Sequence, residues 1–340
     1  MILGFVEVSH ESLPLAEAEA VCGAEAVGGG GVAAGAPFPG LVAVEVPDTT
    51  ALRELANRLA LARRCLRPVP EAGELLAAAR QEGARGQSAA FRRIGRPSGG
   101  GTDEGVLSSG RAFKAGGGSI DLDRPERRFW VARGADARDH LLEEVAAIDR
   151  TAPSQRRMPL LPFRRPVSLP PRLARAAVNL ARVTPKDRVL DPFLGTGALL
   201  AEAGLLGGRL YGMDRDPAMV RGALQNLAYL GVAADELVVG DARNVDFADP
   251  SQRFSAIVTD PPYGRSSSTG GEGAAELVRQ VLERWSHRLT PDGRLVVIVP
   301  AGGAASLPGT PRFHVPVRVH RSLTREFCLY ERAGATGNSC

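Results

Sequence analysis

The sequence predicts an α/β protein with a doubly wound parallel sheet in its carboxyl-terminal half and a smaller α+β region before it. Two observations support this class. Strand-like and helix-like segments alternate between residues 188 and 299, as they do in parallel sheets. Four of the strand-like segments are each followed by an acidic residue, namely Asp191, Asp214, Asp241 and Asp260. Because parallel strands end at one edge of a sheet, a ligand is expected at that edge.

The first 68 residues read as a small α+β domain. Residues 2–8 alternate as a strand, and Ser12 to Glu25 form a predicted helix. A second strand runs from Leu41 to Val46, and Thr49 is a candidate cap for the helix that follows. Nothing in this stretch has the spacing of a catalytic constellation.

Residues 69–150 read as a second small domain. The pattern predicts a helix over Glu74 to Gln81, strands over 88–94, 119–122 and 127–131, and a last helix over His140 to Ile148, opened by Asp136. Basic side chains crowd this stretch and are interleaved with aromatic ones. They are Arg92, Arg93, Arg96, Arg111, Lys114, Arg124, Arg127 and Arg128, with Phe91, Phe113, Phe129 and Trp130. The composition is typical of a nucleic-acid surface and equally of a solvated basic face over an aromatic core.

Residues 151–170 are dense in proline and arginine, which is the composition of a semi-rigid linker, so the main domain boundary is expected there. The domain from 171 to 334 then contains the alternating strands, at 188–190, 209–212, 236–239, 256–258 and 294–299. No helical segment separates the last two strands, His314 to His320 and Glu326 to Tyr330. These two are expected to form an antiparallel hairpin at the sheet edge.

Composition narrows the class of protein further. The chain has 340 residues, 44% hydrophobic and 24% charged, which is ordinary for a globular protein, and it has no apolar run long enough to cross a membrane. The first residues have an acid within their apolar run and no basic leader, so no signal peptide is expected. The cysteines are scattered, which favours neither a zinc site nor disulfides and fits a reducing cytoplasm. They are Cys22, Cys65, Cys328 and Cys340.

A glycine-rich turn, Asp191 to Ala198, opens the first helix of the alternating region and lets the backbone approach a ligand closely. The turn has neither dinucleotide-binding spacing nor the Lys-Ser/Thr of a phosphate-binding loop, so neither NAD nor ATP is favoured. The carboxylate of Asp214 is suited to a ribose diol, and that of Asp241 to the amino group of adenine. Asp216 precedes Pro217 and is interpreted as a helix cap.

The strand that ends at Thr259 is followed by Asp260-Pro261-Pro262-Tyr263. Two prolines make a stiff loop and leave carbonyl oxygens free to accept hydrogen bonds. The Asp260 carboxylate and the Pro261 carbonyl could accept the two N–H groups of an exocyclic amine, freeing its lone pair for attack. The ring of Tyr263 could stack on the base that carries the amine. Arg265 and Ser266 to Thr269 are candidates for closing over a flipped nucleotide.

The segment from about Arg164 to Arg332 resembles class I S-adenosylmethionine-dependent methyltransferases with a Rossmann-like, seven-stranded sheet. It is most similar to the archaeal tRNA (guanine(10)-N2)-methyltransferases. The motifs are Asp-Pro-Phe-x-Gly-Thr-Gly, Asp-Ala, Asp-Pro-Pro-Tyr, the segment 163–175 and the segment 319–325. The family's catalytic loop matches Asp260, Pro261, Pro262 and Tyr263. The resemblance implies that the cofactor is bound by Asp191, Phe193, Gly195, Thr196, Gly197, Asp214, Asp241 and Ala242. Leu194 and Ala198 depart from the cysteine and second glycine common in this family.

The resemblance also implies an amino-terminal ferredoxin-like domain (1–68), a THUMP-like RNA-binding domain (69–150) and a monomer that binds tRNA and needs neither a metal nor a membrane. Other readings of the sequence stay open. Adenine-N6 and glutamine methyltransferases use the same loop, usually with Asn in its first position, so Asp260 favours guanine only slightly. A non-catalytic RNA-binding protein that senses the cofactor would be expected to lack Asp260, Tyr263 or the Gly195/Gly197 pair, and an NAD-dependent oxidoreductase would need other glycine spacing.

Overall fold

The computed structural model describes residues 2–8, 12–25, 38, 41–70, 75–95, 103–149, 151, 155–166, 168–262, 274–320 and 323–331. The chain divides into two compact units, Met1–Asp149 and Arg150–Cys340. None of the helices in these ranges combines the length and apolar character that a membrane span requires.

The first unit is built on one sheet, which has seven strands in the described ranges, in the order β2-β1-β3-β7-β6-β4-β5. Its strands are β1 (Ile2–Glu7), β2 (Leu41–Val46), β3 (Arg64–Pro68), β4 (Ser88–Ile94), β5 (Ser119–Ile120), β6 (Arg127–Arg133) and β7 (Asp139–Ala147), and its helices are α1 (Ser12–Glu25), α2 (Thr49–Arg58), α3 (Leu75–Gly83) and α4 (Glu104–Ala115). Strand β3 pairs with both β1 and β7, so the sheet is continuous across residue 68. A division into two domains at that residue stays a prediction.

Two local expectations in this unit were wrong. Residues 139–147 form the strand β7 instead of a helix, because β7 lies between β3 and β6 and pairs with both. Its acidic side chains are tolerated there by ion pairs, such as Glu143 with Arg127 at 2.8 Å. The cap of α2 is Asp48 and not Thr49, since the Asp48 carboxylate accepts hydrogen bonds from Thr50 N at 2.7 Å and Ala51 N at 3.0 Å.

The aromatic residues of this unit belong to its core. Phe91, Phe113 and Phe129 lie within 5.2–5.8 Å of one another, ring centre to ring centre, and all are buried. Trp130 is also buried, and the guanidinium of Arg64 lies over its ring at 3.5 Å. These rings are therefore not available as stacking platforms for nucleic-acid bases. Of the eight basic residues that the sequence placed on this surface, Arg96 lies outside the described residues, Arg93 is half-buried and Arg127 is buried. The other five, Arg92, Arg111, Lys114, Arg124 and Arg128, are exposed.

The second unit has the predicted parallel sheet with helices packed on it. Its strands are β8 (Arg188–Asp191), β9 (Arg209–Asp214), β10 (Glu236–Val239), β11 (Phe254–Thr259), β12 (Leu289–Pro300), β13 (Phe313–His320) and β14 (Leu323–Glu331), and its α-helices are α5 (Pro171–Leu180), α6 (Ala198–Gly204), α7 (Pro217–Tyr229) and α8 (Ala274–Ser286). The strand order is β10-β9-β8-β11-β12-β14-β13, and the pairings from β10 to β12 are parallel. Strands β14 and β13 form the predicted antiparallel hairpin at the edge. The α/β fold class is confirmed.

Residues 155–166 of the proline-rich segment are held within this second unit by side chains of its helices. Arg156 donates two hydrogen bonds to the buried carboxylate of Glu202, at 2.8 and 3.1 Å. Phe163 exchanges two backbone hydrogen bonds with the side chain of Asn226 on α7, at 2.9 and 3.0 Å. These residues are thus held against the sheet-bearing unit by side chains of α6 and α7.

Candidate active site

The sheet topology brings the four predicted acids to one edge. Strands β10, β9, β8 and β11 are neighbours in that order, and they run in the same direction. Their carboxyl ends are followed by, or contain, Asp241, Asp214, Asp191 and Asp260. Four carboxylates therefore line consecutive strand ends, where open α/β sheets bind their ligands.

Asp191 anchors the glycine-rich loop from beneath. Its side chain is buried, and Oδ1 accepts hydrogen bonds from the Phe193 backbone N at 3.1 Å and the Thr259 hydroxyl at 2.7 Å. Burial raises the pKa of Asp191 to about 7; the hydrogen bonds oppose that rise, and the nearby carboxylates of Asp260 and Asp214 add to it. The location indicates a residue that shapes the loop, with Thr259 as a partner that the local sequence did not reveal.

The loop's glycines adopt backbone conformations that other residues rarely take. Gly195 has φ +51° and Gly197 has φ +80°. A Cβ at Gly197 would also lie 3.1 Å from the Cβ of Ala223. The Gly195 N–H donates to the Asp214 carboxylate at 2.9 Å, so the end of β9 holds the loop that follows β8. Burial raises the pKa of Asp214.

Asp241 and Ala242 occupy the next strand end and face different surroundings. The Asp241 carboxylate accepts hydrogen bonds from the Arg243 guanidinium, with one at 2.7 Å, and this pairing lowers the pKa of Asp241. Ala242 is buried, and its carbonyl accepts from Trp285 Nε1 at 2.9 Å and Arg284 Nη1 at 3.0 Å on α8. The partly exposed Asp241 is thus the member of the pair that can reach a ligand through its side chain.

Asp260 follows β11 directly and is largely buried, with 15% of its side chain exposed. Burial raises the pKa of Asp260 to about 6, while the charge and hydrogen bond of Arg325 oppose that rise. Pro261 is buried and Pro262 is half-buried. Tyr263, Arg265 and Ser266 to Thr269 lie outside the described residues.

Asn226 joins two parts of the site, although no sequence motif pointed to it. Besides its bonds to Phe163, its side-chain nitrogen donates to the backbone carbonyl of Thr196 in the glycine-rich loop at 3.0 Å. The Thr196 hydroxyl also lies 2.9 Å from the hydroxyl of Ser168. The segment before α5 is therefore fastened to the loop. An asparagine in an amphipathic helix has no sequence signal that would reveal this role.

A small cleft lies at the end of β12, the strand next to β11. It has a volume of about 240 Å³ and is mostly apolar. Its lining residues are Ala275, Val278, Pro300, Ala301, Gly302, Gly303, Ser306 and Leu307. The Glu326 carboxylate of β14 fixes one wall by accepting hydrogen bonds from Gly302 N at 2.9 Å and Ala304 N at 3.0 Å.

The strand order and the acidic strand ends are those of the class I methyltransferase fold. A family model described as UPF0020, RMKL-like methyltransferase domain, matches residues 160–304. The crystal structure of TrmN from Thermus thermophilus superposes with a TM-score of 0.55 at 22% identity, covering 97% of this chain and 99% of that one, and so supports the fold.

Curated relatives identify the family. A probable tRNA (guanine(10)-N2)-dimethyltransferase of Methanothermococcus thermolithotrophicus is 33% identical over 172 residues, which are 47% of this chain and 98% of that protein. The tRNA (guanine(10)-N2)-dimethyltransferase of Pyrococcus abyssi is 45% identical over 175 residues, which are 50% of this chain and 52% of that protein. The chain belongs to this archaeal tRNA (guanine(10)-N2)-methyltransferase family. It spans between 52% and 63% of the length of three curated relatives that it matches.

The cofactor of this methyltransferase class is S-adenosyl-L-methionine, and the residues present fit it. Gly195 is half-buried, and a Cβ at this residue would meet only the Phe193 carbonyl, at 3.8 Å, so the backbone of the loop is accessible there beside the strand ends. Asp214 uses its oxygens for the Gly195 and Asp216 N–H groups, yet a carboxylate has about four lone-pair sites, so acceptors remain for the two hydroxyls of a ribose. Within the described ranges, no group of three or more His, Cys, Asp or Glu side chains is placed to hold a metal ion.

Proposed function

We propose that this protein transfers a methyl group from S-adenosyl-L-methionine to the exocyclic N2 of a guanosine in tRNA, at position 10, giving N2-methylguanosine or N2,N2-dimethylguanosine. The observation that carries the proposal is the location of Asp260. It follows β11, which neighbours β8, and β8 carries the Asp191 loop expected to hold the cofactor. An amine at Asp260 would therefore lie beside the cofactor's end of the sheet.

The cofactor would be held by the loop 191–197 and by the acids of the next two strands. Asp214 would accept the hydroxyls of the ribose, and Asp241, with Ala242, would lie against the adenine. Phe193 and Thr196 belong to the loop that Asp191 and Asn226 hold in shape. When bound, the cofactor supplies an electrophilic methyl carbon on a sulfonium.

Asp260 and Pro261 would prepare the nucleophile. The lone pair of guanine N2 is delocalised into the ring, so the nitrogen must move toward tetrahedral geometry before it can attack. Among the described residues, no N–H donates to the Pro261 carbonyl, which leaves it able to accept one N2 proton while Asp260 accepts the other. N2 forms its bond to the methyl carbon as the carbon–sulfur bond breaks, and one N2 proton then leaves to Asp260 or to water.

A base within a tRNA helix must leave its stack to reach Asp260, at a cost of a few kcal/mol. Tyr263, Pro262 and the small cleft beside β12 are the groups proposed to receive the flipped base. The basic first unit is proposed to bind the tRNA, as THUMP-like and ferredoxin-like domains would. We further propose that the protein acts as a monomer in the cytoplasm and needs no metal ion.

The test is to incubate the full chain with isotope-labelled S-adenosyl-L-methionine and unmodified tRNA, and then to identify the labelled nucleoside by mass spectrometry. We expect N2-methylated guanosine, mapped by ribonuclease fragments to position 10. A tRNA with adenosine at that position is the matched control and should take up no label. Label recovered as N6-methyladenosine would instead support the adenine-N6 alternative, and no label in any RNA would contradict the proposal.

A further inference from the structure

The Asp260 carboxylate is paired with a side chain that the catalytic loop does not include. Arg325 lies near the start of β14, and its Nη1 donates to Oδ1 of Asp260. Both side chains are largely buried, with 14% of the Arg325 side chain and 15% of the Asp260 side chain exposed. The ion pair is therefore shielded from solvent, where its charges act on each other strongly.

The backbone on both sides of Arg325 is fixed. The Thr324 carbonyl accepts a hydrogen bond from Ala301 N at 3.1 Å, and the Glu326 carboxylate accepts those of Gly302 and Ala304 described above. Arg325 itself is paired across the sheet with Pro300 of β12 and Val317 of β13. The backbone that carries Arg325 is therefore held between β12 and β13, within reach of Asp260.

The charged groups that face Asp260 come from two strands. Arg325 approaches it from β14, and the buried carboxyl group of Asp191 at the end of β8 is close enough for the charge of Asp260 to raise the pKa of Asp191. His314 and Glu326 form a separate ion pair, at 3.5 Å, and Glu326 belongs to the wall of the neighbouring cleft. The end of β12, Pro300–Ala301, has no charged side chain. Arg325 is accordingly the cation that the described part of the chain places against Asp260.

We propose that Arg325 is a positioning residue for methyl transfer: it occupies Oδ1 of Asp260, keeps the carboxylate ionised, and leaves Oδ2 to accept the substrate amine. This role rests on the proposed function. Burial favours a neutral Asp260, which would be a weaker acceptor for the amine. Burial raises the pKa of Asp260 to about 6 even with Arg325 present, so the pKa without Arg325 would be higher still.

The first test compares pH profiles of single-turnover methyl transfer. In the parent protein, the rate should rise with pH through about 6, as Asp260 ionises. In Arg325→Met the acid limb should move to higher pH by roughly 1–3 pH units, the range over which a neighbouring cation lowers a carboxyl pKa. Arg325→Lys should keep the acid limb of the pH profile near its original pH.

The matched control is Arg312→Met, which removes an exposed arginine that directly precedes β13 and is paired with Glu331. An Arg325→Met profile unchanged in position would overturn the proposal.

The second test needs no activity, so it separates this inference from the proposed function. Thermal unfolding at pH 8 is compared for Arg325→Met, Asp260→Asn and the double variant. If Arg325 compensates the buried charge, Arg325→Met should lower Tm, and adding Asp260→Asn should restore part of that decrease, or recover folding if the single variant does not fold. If Asp260→Asn changes Tm equally in both backgrounds, or the double variant is no more stable than Arg325→Met, the inference fails. A protein that methylates no tRNA but shows this rescue would contradict the proposed function and leave the charge role of Arg325 supported.

Discussion

The acids along the sheet edge have different pKa values because they differ in burial and in the groups that pair with them. Asp191 lies beneath the loop with neutral donors, and burial raises its pKa to about 7. Asp260 is buried too, but Arg325 opposes the effect of burial on its pKa. Asp241 is more exposed and paired with Arg243, so its pKa is lowered. Along one sheet edge, Asp191 at the end of β8 thus has a pKa near neutrality, whereas Asp241, which follows β10 two strands away, stays ionised.

Replacing Asp260 with Asn should slow methyl transfer strongly. Asn keeps the size and one acceptor oxygen, but it lacks the negative charge that stabilises the charge developing on N2. Removal of one preorganised electrostatic group costs roughly 10²–10³-fold in rate. Single-turnover kinetics at saturating tRNA measures this decrease. Affinity for S-adenosyl-L-methionine, measured by calorimetry, should change little, and an equally large decrease in cofactor affinity would assign Asp260 to cofactor binding.

Replacing Asp191 with Asn should stabilise the protein more at pH 8 than at pH 5. A carboxyl group whose folded pKa is raised binds protons more tightly in the folded than in the unfolded state, so its contribution to stability is lost as pH rises toward about 7. Asn can still accept from Phe193 and Thr259, and it removes this penalty. About two pH units lie between pH 5 and the raised pKa of Asp191, and each is worth about 1.4 kcal/mol. We therefore expect the difference in Tm between variant and parent to grow by roughly 5–10 °C over that pH range. A difference that is constant with pH would show that Asp191 is ionised throughout.

At the scale of elements, alternating hydrophobic segments were enough to predict β8 to β12 and the edge hairpin. These strands are short, apolar and bounded by glycine, proline or acids, which makes their pattern unambiguous. The sequence of β7 predicts a helix because Leu141 and Leu142 are adjacent and are followed by two glutamates, a pattern that suits a helix as well as a strand. The ion pairs that let Glu143 and Glu144 lie in a strand come from β3 and β6, and local sequence does not contain them.

In the candidate site, too, local sequence predicts the motifs but not the contacts between distant segments. Strand-end acids and the glycine-rich turn are local motifs, so the sequence could place them at one edge. Arg325 is 65 residues from Asp260, and Asn226 is 63 from Phe163. Such pairs depend on strand order and on helix orientation, which one sequence does not determine.

Asn226 gives a prediction at this scale, because α7 holds both the glycine-rich loop and the segment before α5. Asn226→Leu keeps the volume but leaves the Thr196 carbonyl and the Phe163 backbone without partners, and each unpaired buried group costs about 1–3 kcal/mol. We expect the variant to bind the cofactor more weakly. If the cost of one unpaired group falls on the cofactor-bound state, Kd should rise by roughly 10-fold or more. Calorimetric titration with S-adenosyl-L-methionine measures it. The control is Asn179→Leu on α5, and an equal decrease in affinity in both variants would indicate general destabilisation.

At the scale of the whole molecule, the two units have different roles in the proposal. The second unit carries the strand-end acids, while the first has exposed basic residues over an aromatic core. Residues alternate between the two faces of a strand, so Arg92 and Arg128 lie on the face opposite to Phe91 and Phe129. Helix α4, with Arg111 and Lys114, belongs to the layer that packs on the phenylalanine face.

The sheet-face pair gives the last prediction. If Arg92 and Arg128 bind tRNA phosphates, Arg92→Ala with Arg128→Ala should weaken tRNA binding and reduce the slope of log Kd against log salt by about 1 for each phosphate that is no longer neutralised. The change should be independent of sequence, because side chains that bind phosphates position the RNA without reading bases. Filter binding of unmodified tRNA at several salt concentrations measures both quantities. Arg111→Ala with Lys114→Ala is the matched control, since it removes the same number of exposed charges from the helical layer. An equal weakening by the two pairs would show that the RNA responds to the overall charge of the unit, and a larger weakening by the helical pair would move the binding surface to α4.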